Sequence, residues 1–340
     1  MREREVDMVS EAALIDDMTT PTPGVVEAVR QLDGPILLLG VSGKMGPTLA
    51  ELLVRAGAQQ VVGVARFTDA EKRRYLEDIG VQTIACDLLA DEALKELPDA
   101  PNVLFLAGFK FGATGNEDAT WAMNAALPGL VMARYAQSRI VYVSSGNVYA
   151  YAEALGPGAD EGGDLGPVGE YAQSRLGGER VAEYASRVRG TPLLIVRLFY
   201  ATEPRYGIIR DLADKVWQEE PIDLTMGYVN QIWQGDANAY LCRFFPLCHS
   251  PADVINLTGP DTLSVRELAE QLGKIMGKTP CFMGTEAPDA LLGDSRRLCA
   301  EFGCPRVGPE QMLRTVAEWV MADGLSLGKP TKYESRSGQF

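Results

Sequence analysis

Three groups of residues in this chain have types and spacings suited to chemistry. The first is Gly40-x-x-Gly43-x-x-Gly46. Glycines so spaced permit a tight turn, let backbone approach a pyrophosphate and let a helix pack on a strand. With Ser42, Lys44 and Met45 between them, they would offer the N–H groups of a helix N-terminus to phosphates. The second group is Tyr171 and Arg175, which share one face if the segment is helical. A nearby cation favours a phenolate. Such a phenol can take or return a hydroxyl proton while a hydride moves at the same carbon. Ser145, at the end of an apolar run, could hydrogen-bond the same oxygen. The third group is Asn124 and Pro128. Proline cannot bond the carbonyl four residues back, which is that of Asn124. A continuous helix would kink there and free a carbonyl able to hold a water in a proton relay; a bend made only for packing is the alternative.

A dinucleotide site of the NAD type wants an acid about twenty residues after the glycine turn, for the ribose 2′-hydroxyl. Ala65 holds that place and Arg66 follows. An arginine fork can pair with a 2′-phosphate. The expectation is NADP in preference to NAD, with NAD still open.

The elements that must position these residues are legible as an alternation. Ile36–Leu39, Gln60–Val64, Thr83–Ala85, Val103–Ala107, Ile140–Ser144 and Leu193–Leu198 read as strands. Helical spacing lies between them, to Ala56 and over 70–80, 117–138 and 171–188. Such βαβ order with strands apolar on both faces predicts an α/β Rossmann-type, doubly wound parallel sheet. Beyond Phe199, helices over 207–219, 264–276 and 310–322 and a strand over 254–257 predict a smaller C-terminal substrate lobe. The expected division is a helical extension over 1–34, a dinucleotide-binding domain over 35–199, a substrate lobe over 200–327 interleaved with the last strands, and a mobile tail over 328–340.

Composition narrows the function. Apolar residues are 46% and charged residues 23%, as in ordinary globular chains. Lys and Arg number 32 against 46 Asp and Glu, a net charge of −14 that disfavours nucleic acid and anionic membranes as partners. No apolar run approaches membrane-spanning length, and the first residues lack a signal-peptide core. A soluble, cytoplasmic protein is expected. The six cysteines have no C-x-x-C spacing and there is one histidine, His249, so no metal site is expected.

Further landmarks occur in order. They are Cys86-Asp87-Leu88, Leu106-Ala107-Gly108, Val141-Tyr-Val-Ser-Ser145-Gly-Asn-Val-Tyr149, Tyr171-Ala-Gln-Ser-Arg175 and Leu257-Thr-Gly-Pro-Asp-Thr-Leu-Ser264. Together they resemble the extended short-chain dehydrogenase/reductase family of NAD(P)-dependent sugar epimerases, dehydratases and reductases, over residues 35–325. The resemblance implies that Asp87 and Leu88 lie at the adenine and that Ala107 and Gly108 lie along the nicotinamide-side ribose. It implies Tyr171 as acid/base, Ser145 as its partner and Arg175 as the cation that also holds the ribose. A homodimer through helices near 117–137 and 171–188 is implied as well.

Three departures matter. Arg175 replaces the family's lysine. Gly146-Asn147 stands where dehydratases carry an Asp-Glu pair. Tyr200 and Val229 replace expected diphosphate ligands. The expectation is an NADP-preferring oxidoreductase or redox epimerase acting on a carbohydrate hydroxyl or ketone, and not on a nucleotide sugar. A catalytically retired NADP-binding sensor or scaffold of the same fold is the alternative.

Overall fold

The computed structural model describes residues 10–110, 112 and 114–338. The first nine residues of the expected N-terminal extension, and the last two of the expected tail, lie outside the described residues. Two capped helices open the chain. In α1 (Glu11–Thr19) the Ser10 hydroxyl accepts from the Ala13 N–H at 3.2 Å, and in α2 (Pro23–Arg30) Thr22 accepts from Val25 at 3.4 Å. Each cap satisfies an N–H that the helix cannot.

The central sheet has seven parallel strands. They are β1 (Ile36–Leu39), β2 (Val61–Ala65), β3 (Gln82–Ala85), β4 (Asn102–Phe105), β5 (Arg139–Ser145), β6 (Leu193–Leu198) and β7 (Asp253–Leu257). In space the order is β7-β6-β5-β4-β1-β2-β3. Ile36 pairs with Val61 on one side and Asn102 on the other, so β1 is central and the order reverses beside it. Ligands of such sheets bind at that reversal, beyond the carboxyl ends of the strands. All four residues of β1 are buried. Ile36 and Leu38 face one core with Leu49 and Leu53, while Leu37 and Leu39 face another with Val103 and Leu127. That is the period-two alternation of a strand covered on both faces.

The helices covering the sheet include α3 (Gly46–Arg55), α4 (Ala70–Asp78), α5 (Glu117–Trp121), α6 (Leu127–Arg134) and α7 (Gly169–Arg189). A third core gathers α8 (Ile208–Gln218), α10 (Val265–Met276) and α12 (Pro309–Met321) around Leu212, Leu272 and Val316. Between these, α9 (Gln234–Arg243) packs back against α2 and α3 under the sheet. α11 (Arg296–Phe302) lies on β7.

Two expectations need correction. The helix expected over 117–138 is not one α-helix: α5 and α6 are joined by a π-helical turn, Ala122–Ala126. Pro128 lacks the N–H that would bond the Asn124 carbonyl, and the backbone widens there. The tail is docked, not mobile, as far as Gly338. Thr331 donates its N–H and hydroxyl to Asp211 Oδ2 at 2.8 and 2.6 Å, Tyr333 is 2% exposed, and Arg336 pairs with Asp289. Its polar residues make specific bonds that no periodicity reveals. No described helix is long and apolar enough to cross a membrane.

Candidate active site

The glycine turn links β1 to α3. Gly40 has φ +92°, and a Cβ there would lie 2.7 Å from the Ala107 backbone nitrogen. A Cβ on Gly46 would lie 2.0 Å from the Val41 carbonyl oxygen. Neither position accepts a side chain, so the turn is as tight as its sequence implies. α3 begins without a side-chain cap on its first N–H groups, which leaves them to an anion. These features fit the pyrophosphate of a dinucleotide. Gly43, Gly40 and Gly46 would hold it by backbone.

A cleft of about 210 Å³ opens from this turn. Of the residues expected at the site, Gly40, Gly43, Lys44, Met45, Gly46, Gly108, Ser145, Tyr171 and Arg175 line it. The chain brings them together from the glycine turn, the end of β4, the end of β5 and the first turns of α7. Ser42 lies within the turn but not on the cleft wall, and buried Ala107 abuts Gly40. Asp87 and Arg66 are both exposed, side by side at the ends of β3 and β2, where the Cys86 N–H bonds the Ala65 carbonyl at 2.9 Å. Leu88 is buried in the core of the sheet's other face. His249 is exposed and lies off the cleft.

Asn124 is not on the cleft wall. Its side chain bonds the Phe109 N–H and carbonyl at 2.8 and 2.9 Å and the Ser174 hydroxyl at 3.1 Å. Its carbonyl faces the Tyr142 hydroxyl at 3.5 Å and Gly178 of α7. The proline does free this carbonyl from an α-helical bond. It turns toward α7, where Gly178 leaves room for it.

Arg175 is 4% exposed. Its guanidinium donates to the Val143 carbonyl, lies 5.1 Å from the centre of the Tyr142 ring, and keeps a buried Nε without a partner. A Cβ on Gly108 would sit 2.7 Å from Arg175 Nη1, so Gly108 makes room for the longer side chain. The Ser145 hydroxyl donates to Asn147 Oδ1 at 3.0 Å and accepts from the Asn147 N–H at 3.2 Å. Behind it, the Ser144 hydroxyl donates to Glu179 at 2.5 Å, and Glu179 is ion-paired to Arg197 at 2.8 Å. This buried group ties β5 and β6 to α7, and so fixes Tyr171 relative to Ser145.

Sequence reasoning missed Lys110 and Tyr206, both on the cleft wall. Lys110 follows the Ala107-Gly108 landmark by two residues, which was the available signal. Its ammonium lies 5.6 Å from the centre of the Tyr171 ring and 5.7 Å from that of Tyr200. Tyr206 precedes Gly207, whose φ is +126°. Burial pushes the hydroxyls of Tyr200 and Tyr206 well above the usual phenol range, so both are neutral donors.

Residues 36–221, more than half of the chain, match the NAD dependent epimerase/dehydratase family. No curated protein sequence matches. Several solved structures share the fold. UDP-glucuronic acid 4-epimerase from Bacillus cereus, in complex with NAD, is 18% identical with a TM-score of 0.71, over 85% of this chain and 99% of that one. MoeE5 in complex with UDP-glucuronic acid and NAD is 22% identical with a TM-score of 0.70, over 85% and 100%. Pal from Bacillus thuringiensis is 16% identical with a TM-score of 0.72, over 85% and 99%. The glycine turn, the strand bearing Ser145 and the helix bearing Tyr171 all lie in the matched span, and the chain belongs to the NAD dependent epimerase/dehydratase family.

Proposed function

We propose that this enzyme oxidises a sugar hydroxyl at Tyr171 and Ser145, as a redox epimerase or a dehydrogenase. The observation that carries the reading is the convergence of Ser145, Tyr171 and Arg175 with the glycine turn on one cleft. The family is NAD-dependent, the option that the Arg66 argument had left open. NAD supplies a hydride acceptor at the reacting carbon. The chain supplies the rest. Tyr171 takes the hydroxyl proton as the carbon is oxidised and returns it on reduction. Ser145 re-aims its hydroxyl from Asn147 to the reacting oxygen. Arg175, anchored on the Val143 carbonyl, holds positive charge beside the phenol and the ribose. Gly146-Asn147 offers no carboxyl group for water elimination, so the enzyme leaves the sugar's oxygens in place.

The expectation that the substrate is not a nucleotide sugar finds no support. MoeE5 is solved with UDP-glucuronic acid and with UDP-glucose, and these neighbours point the other way. Nucleotide sugars are therefore the first class to test, although Tyr200 and Val229 stand at positions where the family's diphosphate ligands were expected. The retired-scaffold alternative loses ground because the Ser145–Tyr171 pair shares the cleft. The test is incubation of purified enzyme and NAD with UDP-glucose, UDP-galactose and UDP-glucuronate, with products separated by chromatography. Formation of the C4 epimer, or of reduced nicotinamide, is the expected result. No product from any of these or from the free sugars overturns the reading.

A further inference from the structure

Residues 327–338 join two walls of the cleft. At one end the Leu327 N–H donates to the Arg205 carbonyl at 3.0 Å, next to Tyr206 on the cleft wall. At the other, Gly338 lies on Val168 and Gly169, where the helix that carries Tyr171 begins. A Cβ on Gly338 would come 2.1 Å from the Val168 carbonyl oxygen, and one on Gly169 would come 2.5 Å from that of Gly338. Backbone meets backbone there, with no room for a side chain on either residue. Between these ends, Tyr333 packs in one apolar core with Phe199 and Tyr200 of the cleft wall. Ser335 and Gly338 share a small cavity with Asn147, which bonds the Ser145 hydroxyl.

The segment is held by a few polar latches. Thr331 donates its N–H and hydroxyl to Asp211. Arg336 pairs with Asp289 at 2.5 Å, and its guanidinium lies 4.3 Å from the centre of the Tyr151 ring. Thr331 and Tyr333 are buried, but Gly328, Pro330 and Lys332 are exposed. Two features oppose docking. The Tyr333 hydroxyl is buried without a protein partner, and Lys332 holds φ +52°, a left-handed conformation that a side chain disfavours. Segments with so few buried contacts open far more readily than the fold as a whole. The reacting sugar belongs at Ser145 and Tyr171, with the cofactor on the side of the glycine turn. Any group beyond that sugar must extend away from the turn, across the line from Arg205 to Gly169 that this segment occupies.

We infer that residues 327–338 form an intrasteric strap, which fills the far end of the substrate site in the free enzyme and is displaced when a nucleotide sugar binds. The inference rests on the proposed function and adds the regulation of that site. A free sugar has nothing beyond its ring and does not cross the strap. Affinity for the longer substrate is lowered by the fraction of molecules in which the strap is docked.

Limited trypsin digestion of the full chain, read by intact mass, tests the strap at Lys332, which only a released segment presents to the protease. The samples are wild type with NAD, alone and with UDP-glucose, UDP-glucuronate or glucuronate, and calorimetry measures the binding of each. A saturating UDP-sugar should speed cleavage at Lys332 about tenfold or more, as a minor open state becomes the main one, and glucuronate should leave it unchanged. Thr331→Val with Arg336→Met loosens both latches. This variant should bind the UDP-sugars about tenfold or more tightly than wild type, with NAD affinity close to unchanged. A merely structural role would weaken binding; release of a competing segment strengthens it. A thermal melt establishes that the variant is folded, with Thr331→Val alone used if it is not. A bound UDP-sugar that slows cleavage or leaves it unchanged overturns the strap, as does a loosened variant that binds no tighter, and the proposed function then stands on turnover. UDP-sugars that bind and release the strap without turnover keep the strap and remove the proposed function. UDP-sugars that bind neither wild type nor the loosened variant overturn the strap, whatever turnover the free sugars give.

Discussion

Substituting Gly178 by alanine tests how the π turn positions the helix that carries Tyr171 and Arg175. The new Cβ would lie 2.0 Å from the Asn124 carbonyl oxygen, 2.7 Å from the Tyr142 hydroxyl and 3.1 Å from Pro128 Cγ. Ordinary contacts are near 3.5 Å. α7 must therefore move out by about 1 Å or more, because the nearest atom is backbone and the next is on a ring packed in the core. Overpacking of this kind costs roughly 1–3 kcal/mol. Loss of the Tyr142–Asn124 bond adds about 1 kcal/mol. A displacement of about 1 Å at the first turns of α7 can also lower turnover about 10²-fold. Urea denaturation followed by circular dichroism reads the first effect, and turnover at saturating NAD reads the second. A Gly178→Ala protein of wild-type stability and rate would refute the claim that this contact is close-packed and sets the site. Exposed Gly190, left-handed at φ +71° at the far end of α7, is the remote comparison for turnover: alanine there costs stability through backbone strain alone and should leave the rate unchanged.

Three further expectations follow from other contacts. Arg197→Met strands Glu179 in the core, a loss of about 3–5 kcal/mol by urea denaturation, and Glu179→Met added to it should restore part of that; a single variant as stable as wild type contradicts the buried pair. Arg66→Glu should weaken NADP about tenfold or more by fluorescence titration and leave NAD nearly unchanged, since Arg66 stands at the end of β2 in place of the ribose acid; equal NADP affinities deny Arg66 that role. Exposed Leu130 of α6 and Val181, Tyr184 and Val188 of α7 form an apolar face, with the last three at helical spacing. We propose that this face joins two copies of the chain, so light scattering should give a dimer and Tyr184→Glu with Val188→Glu a monomer; a wild type that is monomeric at high concentration contradicts it.

Much of the sheet could be read directly because its strands are short, apolar on both faces and separated by breakers. Ile36–Leu39 and Leu193–Leu198 have the bounds expected of them, and the glycine turn stands where strand meets helix. The spacing of Tyr171 and Arg175 placed both on α7. What periodicity could not give were side chains delivered by irregular backbone. Lys110 and Tyr206 reach the cleft from loops, and their direction depends on the Gly207 conformation and on the chain path after β4. The fate of the Asn124 carbonyl depended on Gly178 of another helix. The docking of Thr331 and Tyr333 depended on Asp211, more than a hundred residues upstream. Both are long-range contacts between residues with no pattern in common.

The most direct measurement is turnover of wild type and Tyr171→Phe with NAD and the UDP-sugar panel, beside NAD affinity by calorimetry. Removing one hydroxyl from a cleft-lining residue should lower turnover about 10²- to 10⁴-fold, the usual range for general acid/base catalysis, with NAD binding close to unchanged. An active wild type whose rate is indifferent to Tyr171→Phe would contradict the assignment and place the proton transfer on another group.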